Sequence, residues 1–272
     1  MSMQRCLVIL NREDQVKVLL DMAAHLVSKI NLRRIDVLAL REPSGTGQPF
    51  GLTAEGVFLL EEDQKEWALS LHKAFCHWLQ NEYIQPHDML ETTEINWLDP
   101  EGDAASVIPM MGRNADLIIT LFPNKQDSQQ KQRGLKAAIF ETDRPVLLVP
   151  PYWDRGTGDS VLLAWKDAGC ARRAFASARH ILPAAQTVQV LMQKGEHWPQ
   201  DILPEVTLHK IALPAQHSPA EVGQAILDTA MIQEADLIVM GGYQHGMLYN
   251  RIMGSATDYI LQHPLVPVLL QH

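Results

Sequence analysis

The chain has 272 residues, 46% of them hydrophobic and 20% charged, with a net charge of -9. That composition is ordinary for a globular protein, and the length favours two modest domains over one large one. The acidic balance excludes a generic nucleic-acid or anionic-membrane binder, since both need a basic footprint. No apolar run reaches the roughly 18 residues that would cross a bilayer.

The first segment, Met1 to Asn11, is a short apolar run followed at once by charge. It reads as a first strand and not as a secretory signal. In chain order, the front half predicts strands at 5–10, 34–40, 94–98, 116–121 and 145–149, with helices at 14–30, 62–80, 103–114 and 130–141. In the helix from Glu61 to Gln80, residues Trp67, Leu71, Phe75 and Trp78 recur at spacings of three and four and form one apolar face. Glu61, Glu62 and Asp63 open it and complement its dipole. His72 and Cys76 lie four apart on it, but no third ligand is in view, so packing is the better reading than a metal site. The stretch from Pro150 to Gly158 is punctuated by proline and glycine and reads as a linker. The rear half predicts strands at 160–165, 187–192, 206–212, 236–240 and 266–270, with helices at 168–182, 219–233 and 254–263.

The two halves repeat one another. Ala115-Asp116-Leu117-Ile118-Ile119 matches Ala235-Asp236-Leu237-Ile238-Val239, and Pro145-Val146-Leu147-Leu148 matches Pro267-Val268-Leu269-Leu270, at offsets of 120 and 122. Short apolar strands alternating with helices give a parallel sheet with right-handed crossovers, covered on both faces. The expectation is therefore α/β: two tandem doubly wound five-stranded domains, at 1–153 and 159–272, related by a pseudo-twofold axis. The first domain is about 35 residues longer, and a helical insertion at about 45–80 accounts for most of the excess. The apolar last strands, Val146–Val149 and Val268–Leu270, are the natural edges to pair. Asp116 and Asp236 recur just before a buried strand, which suggests a structural, turn-capping role. The three cysteines, Cys6, Cys76 and Cys170, have no metal spacing and fit a reduced, cytoplasmic compartment.

Near the C-terminus, the apolar run Leu237–Met240 ends in Gly241-Gly242, and Gly254-Ser255 opens a helical stretch. A glycine at a strand end lets the chain turn with positive φ and leaves no Cβ against a ligand. A small pair at a helix start offers free N–H groups and a hydroxyl to an anion. The alternative is that Gly254 allows close helix–sheet packing and Ser255 caps the helix. With the tandem layout, these strings resemble the universal stress protein family. The resemblance covers the whole chain and is strongest in the rear half. It implies an open sheet of order 3-2-1-4-5. In ATP-binding members it also implies a loop of Gly, two residues, Gly, nine residues, Gly, then Ser or Thr.

Here that register falls on Gly241, Gln244, Gly254 and Ser255, so Gln244 stands where the middle glycine belongs. The resemblance also implies an Asp at the end of the first strand. Asn11 holds that place in the front half and Lys166 in the rear half, where a lysine could instead meet a phosphate or remain solvated. In the front half the corresponding loop, Phe122 to Arg133, has no glycine and cannot cradle a polyphosphate; Lys125, Lys131 and Arg133 read as a solvated surface. No catalytic residue and no metal site is assigned.

The function these readings imply is that of a universal stress protein. It would be a non-catalytic regulator in the stress response, with weak binding of ATP, ADP or AMP at Gly241, Gly242, Gly254, Ser255 and Lys166. One alternative is a ligand-free interaction scaffold that uses the helix 61–80 toward an unnamed protein partner. A second is a slow nucleotide hydrolase. Neither nucleic acid nor membrane is an expected partner, and the paired domains form a monomer or a homodimer.

Overall fold

A computed structural model describes residues 3–43, 54–84, 92–196, 198, 209–213, 218–242 and 256–272. The short apolar runs form strands β1 (Arg5–Ile9), β2 (Arg34–Leu38), β3 (Glu94–Leu98), β4 (Leu117–Leu121), β5 (Val146–Val149), β6 (Ser160–Ala164), β7 (Thr187–Gln193), β8 (His209–Leu213), β9 (Leu237–Gly241) and β10 (Val268–Gln271). Between them lie α1 (Val16–Ile30), α2 (Ala54–Ile84), α3 (Ala104–Gly112), α4 (Gln129–Glu141), α5 (Gly169–Ala178), α6 (Pro219–Ile232) and α7 (Ala256–Gln262). The rear half's first helix ends at Ala178, short of the expected 182, because Pro183 forces a 3-10 turn at Leu182–Ala184.

The strands make one ten-stranded sheet in the order β3-β2-β1-β4-β5-β10-β9-β6-β7-β8. Each half keeps the 3-2-1-4-5 order, and all neighbours are parallel except β5 and β10, which run antiparallel. The two expected layers are thus not separate sheets, because their last strands hydrogen-bond and fuse them. Leu147 faces Leu269, flanked by Val146 opposite Leu270 and Leu148 opposite Val268. Leu147 and Leu269 are equivalent under the 122-residue repeat, so the pair is its own image and a local twofold axis passes between them. All six of these side chains are buried. The seam removes two apolar edges that would otherwise invite aggregation.

Strand alternation sorts the side chains into two cores. Cys6 and Val8 of β1, Leu147 of β5 and Val239 of β9 meet α1, α2 and α5 on one face. Leu7 and Ile9, Leu148 and Ile238 meet α3, α4, α6 and α7 on the other. Both cores run through both halves. The helix α2 is longer than the expected 62–80 and joins parallel neighbours β2 and β3. Parallel strands need such a crossover, so the stretch read as an insertion contains a connection the topology requires. Its Leu71, Phe75 and Trp78 are buried against the sheet and α1.

The repeated aspartates tie each half's first strand to its fourth. Asp116 Oδ2 accepts from the amides of Gln4 (2.9 Å) and Arg5 (3.0 Å). Asp236 accepts from the amides of Gly158 (2.7 Å), Asp159 (3.0 Å) and Ser160 (3.1 Å). Gly158 has a φ of +83°, a left-handed conformation in which glycine carries no Cβ penalty. The linker also grips the front half. His25 Nε2 lies 3.0 Å from the Thr157 carbonyl oxygen, and Lys29 Nζ donates to Asp159 at 2.5 Å.

Candidate functional site

In open α/β sheets, ligands bind outside the carboxyl ends of the strands where the strand order reverses. This sheet has two such points, one between β1 and β4 and one between β6 and β9. In the rear half, β6 leads into buried Trp165 and exposed Lys166. Ala164 pairs with Met240, so Lys166, Gly241 and Gly242 leave neighbouring strands on one edge of the sheet. The other proposed members, Gly254 and Ser255, and the altered position Gln244, lie outside the described residues.

Gly241 has a packing duty here. A Cβ at Gly241 would lie 2.4 Å from the Ala171 nitrogen and 2.7 Å from the Cys170 carbonyl carbon, because the first turn of α5 rests on the strand end. A Cβ at Gly242 would meet Leu270 Cδ1 at 2.8 Å. Neither glycine adopts positive φ; among the described glycines Gly158 and Gly195 do. The positive-φ turn expected at Gly241 is therefore corrected: the missing Cβ serves close approach of a helix. Beside Lys166, Arg172 pairs with Asp167 at 2.7 Å, and the Glu196 carboxylate accepts from the Asp167 amide at 2.9 Å.

The front half's reversal point is built differently. Half-buried Asn11 ends the β1 segment, and its carbonyl oxygen accepts from Lys131 Nζ at 3.0 Å. The loop after β4 satisfies itself. Asp127 Oδ2 accepts from the Asn124 amide (2.7 Å), and Asn124 Oδ1 accepts from the Gln126 amide (3.0 Å). Ser128 caps α4 through the Lys131 amide and donates to Glu42 at 3.0 Å. Amides engaged in this way do not form a phosphate cradle. Gly134 lies within α4, where a Cβ would meet Ile108 of α3 at 2.8 Å.

Beside this closed loop lies a cavity of about 1800 Å³, walled by Ile9, Trp67, Ile108, Phe122 and Leu261 among others. Gln15 lines it, is 4% exposed, and leaves its Oε1 without a hydrogen-bond partner. The sequence reading missed this residue. A signal was present: Gln15 precedes Leu19, Ala23 and Leu26 on the helical stripe that faces the core, a phase in which a glutamine is out of place.

The remaining candidates are structural. Burial pushes the Cys6 thiol far up, with Asp36 and Asp116 adding to the effect, so it stays protonated and inert. Cys76 Sγ lies 3.6 Å from His72 Nε2, and the His72 ring sits 5.0 Å from that of Trp97, an aromatic contact in keeping with packing. Among the described residues no group of three or more His, Cys, Asp or Glu could hold a metal ion, and no helix is long and apolar enough to cross a membrane.

Comparison with known proteins fits this architecture. Residues 193–272 match the universal stress protein family. No curated protein matches the chain significantly in sequence. A solved universal stress protein from Archaeoglobus fulgidus superposes with a TM-score of 0.67 at 17% identity, covering 99% of this chain and 96% of that one. A functionally unknown protein from Pseudomonas aeruginosa superposes with a TM-score of 0.59 at 16% identity, covering 99% and 92%. At such identities the likeness shows the fold alone. Residues 193–272 are thus similar to the universal stress protein family, and the whole length has the fold of a solved universal stress protein.

Proposed function

We propose that this chain is a tandem universal stress protein, a non-catalytic cytoplasmic regulator in the stress response whose rear half binds adenine nucleotide weakly. One observation carries the reading. The family match over 193–272 takes in the whole Gly241, Gly254, Ser255 pattern, and Lys166 emerges beside Gly241 at a point where strand order reverses. A cation there and glycine corners on the adjacent strand suit a phosphate. The front half is its structural partner, joined through the β5–β10 seam. Calorimetric titration of the purified chain with ATP, ADP and AMP tests this. Weak saturable binding is expected, abolished by Gly254→Trp and reduced several-fold by Lys166→Ala.

The tight seating of α5 on Gly241 favours a second reading, a ligand-free interaction scaffold. Its partner surface would be the outer face of α2, where Phe58 and Leu69 are exposed. Absence of any heat at millimolar nucleotide selects that reading. Turnover of ATP that disappears in Gly254→Trp would instead select a slow hydrolase.

A further inference from the structure

The long crossover α2 buries Leu71, Phe75 and Trp78 and turns its opposite face outward. On that face Phe58 is 59% exposed and Leu69 is 51% exposed. They stand at i and i+11, about three helical turns apart, and so lie in line. Glu62 and Lys65 fill the same stripe between them, at i+4 and i+7. Their side chains are 47% and 55% exposed, and Lys65 Nζ donates to Glu62 Oε1 at 3.0 Å. The stripe therefore reads apolar, acidic, basic, apolar, and exposed Leu59 widens its first end. Scattered apolar residues on a surface need no explanation. Two that bracket a charge pair on one line of a helix form a pattern.

That pattern is its own complement. About a twofold axis at the level of Asp63 and Gln64, an antiparallel copy sets its Leu69 against Phe58 and its Lys65 against Glu62. Each lysine gains a second carboxylate and each carboxylate a second ammonium, so four charges alternate in sign. An exposed pair alone is worth little, but a network across an interface fixes register. Other registers fail. Centred on Glu62, the stripe opposes two carboxylates and sets Phe58 against Glu66; centred on Lys65, it opposes two ammonium groups and sets Leu69 against Glu61. A parallel pairing puts every charge against itself. Like charges brought together act against each of these alternatives. The net charge of -9 opposes self-association at long range. Physiological salt screens that repulsion beyond about 8 Å, and the contacts of the stripe fall inside this distance.

We propose that α2 is the docking surface for α2 of a second copy of this chain, in an antiparallel, twofold-symmetric homodimer. The contact is isologous, so two copies complete it and no filament grows. Its area is that of one helix face, at the small end of specific interfaces, and the dimer is accordingly reversible. It forms whether or not the rear half binds nucleotide.

Sedimentation velocity of the full-length chain in about 150 mM salt, from about 5 to about 500 µM, tests this. The mean mass is expected to rise from monomer toward dimer over that range. Lys65→Glu or Glu62→Lys alone sets like charges across the axis and should weaken association at least about tenfold. Mixing these two variants, or combining both substitutions in one chain, restores opposite signs and should restore the dimer. Leu69→Ala should weaken it several-fold. All these positions face solvent, and circular dichroism checks that each variant folds. A chain that stays monomeric throughout would pass the face to a different protein and overturn the proposal. So would a dimer indifferent to Lys65→Glu, or a mixture of the two charge variants that fails to associate. Failure of the ATP titration bears on the rear-half reading and leaves this result standing.

Discussion

The two halves share one strand order and solve one problem in different ways. In the front half the outer strands β2 and β3 are bridged by α2, whose Leu71, Phe75 and Trp78 cover the sheet. In the rear half the corresponding strands β7 and β8 are joined through 194–208, and among the described residues of that connection Trp198 packs into the core on that face. Trp198 is buried, with its ring 5.1 Å from Trp165 and 5.8 Å from Phe175. The sheet face must be covered in both cases; among the described residues a helix does so in one, and Trp198 joins an aromatic cluster with Trp165 and Phe175 in the other. The reversal points differ in the same spirit. The front half closes its β4 loop on itself and leaves a cavity beside it, whereas the rear half seats α5 on a bare glycine.

The largest expected effect tests how much the buried Trp198 holds. Trp198→Ala should lower stability by about 3–5 kcal/mol, measured as a shift in the denaturant midpoint. Half-buried Trp67→Ala in α2 should cost clearly less. If the two cost the same, the difference in burial between the two tryptophans does not set their worth. Next come the seam residues. Leu147→Ala and Leu269→Ala should each cost about 3 kcal/mol, nearly equally because they are images of one another, and the double variant should depart from additivity. Unequal costs would deny the local symmetry.

Asp236→Ala strands three amides where Asp116→Ala strands two, and Asp236 is the more buried. Losses of about 2 and about 1 kcal/mol are expected in the same assay. Gly241→Ala forces a methyl into the backbone of α5 and should cost about 1–2 kcal/mol without any ligand present. A neutral result would return Gly241 to a purely ligand-facing role.

The smallest effect concerns pH. Burial, helped by Arg179, lowers the proton affinity of His180 below its ordinary value. The folded chain then binds fewer protons than the unfolded chain near pH 6.5, so this contribution is present at higher pH and declines as pH falls through that range. His180→Gln should flatten the stability–pH slope there, and an unchanged slope would remove the assignment.

Much of the fold was legible because strand alternation and helix periodicity are local signals. The Ala-Asp-Leu strings marked the paired fourth strands, and their aspartates cap the turns they were expected to cap. The edges Val146–Val149 and Val268–Leu270 were readable as a pair because apolar edges need covering. The site was less legible. Gly241 carries the same letter whether it admits a phosphate or a helix, and only the seating of α5 distinguishes the two. Gln15 looked like one more polar residue at a helix start until its burial was seen.

Sequence alone determined the α/β class, the duplication and the partner edges, since these follow from residue periodicity and from apolar surface that has to be hidden. Tertiary structure alone decided that two layers become one sheet, that α2 is a required crossover, and that the front half keeps a hollow with an unsatisfied amide. Those outcomes depend on which distant segments fill the same space, and no periodicity along the chain records that.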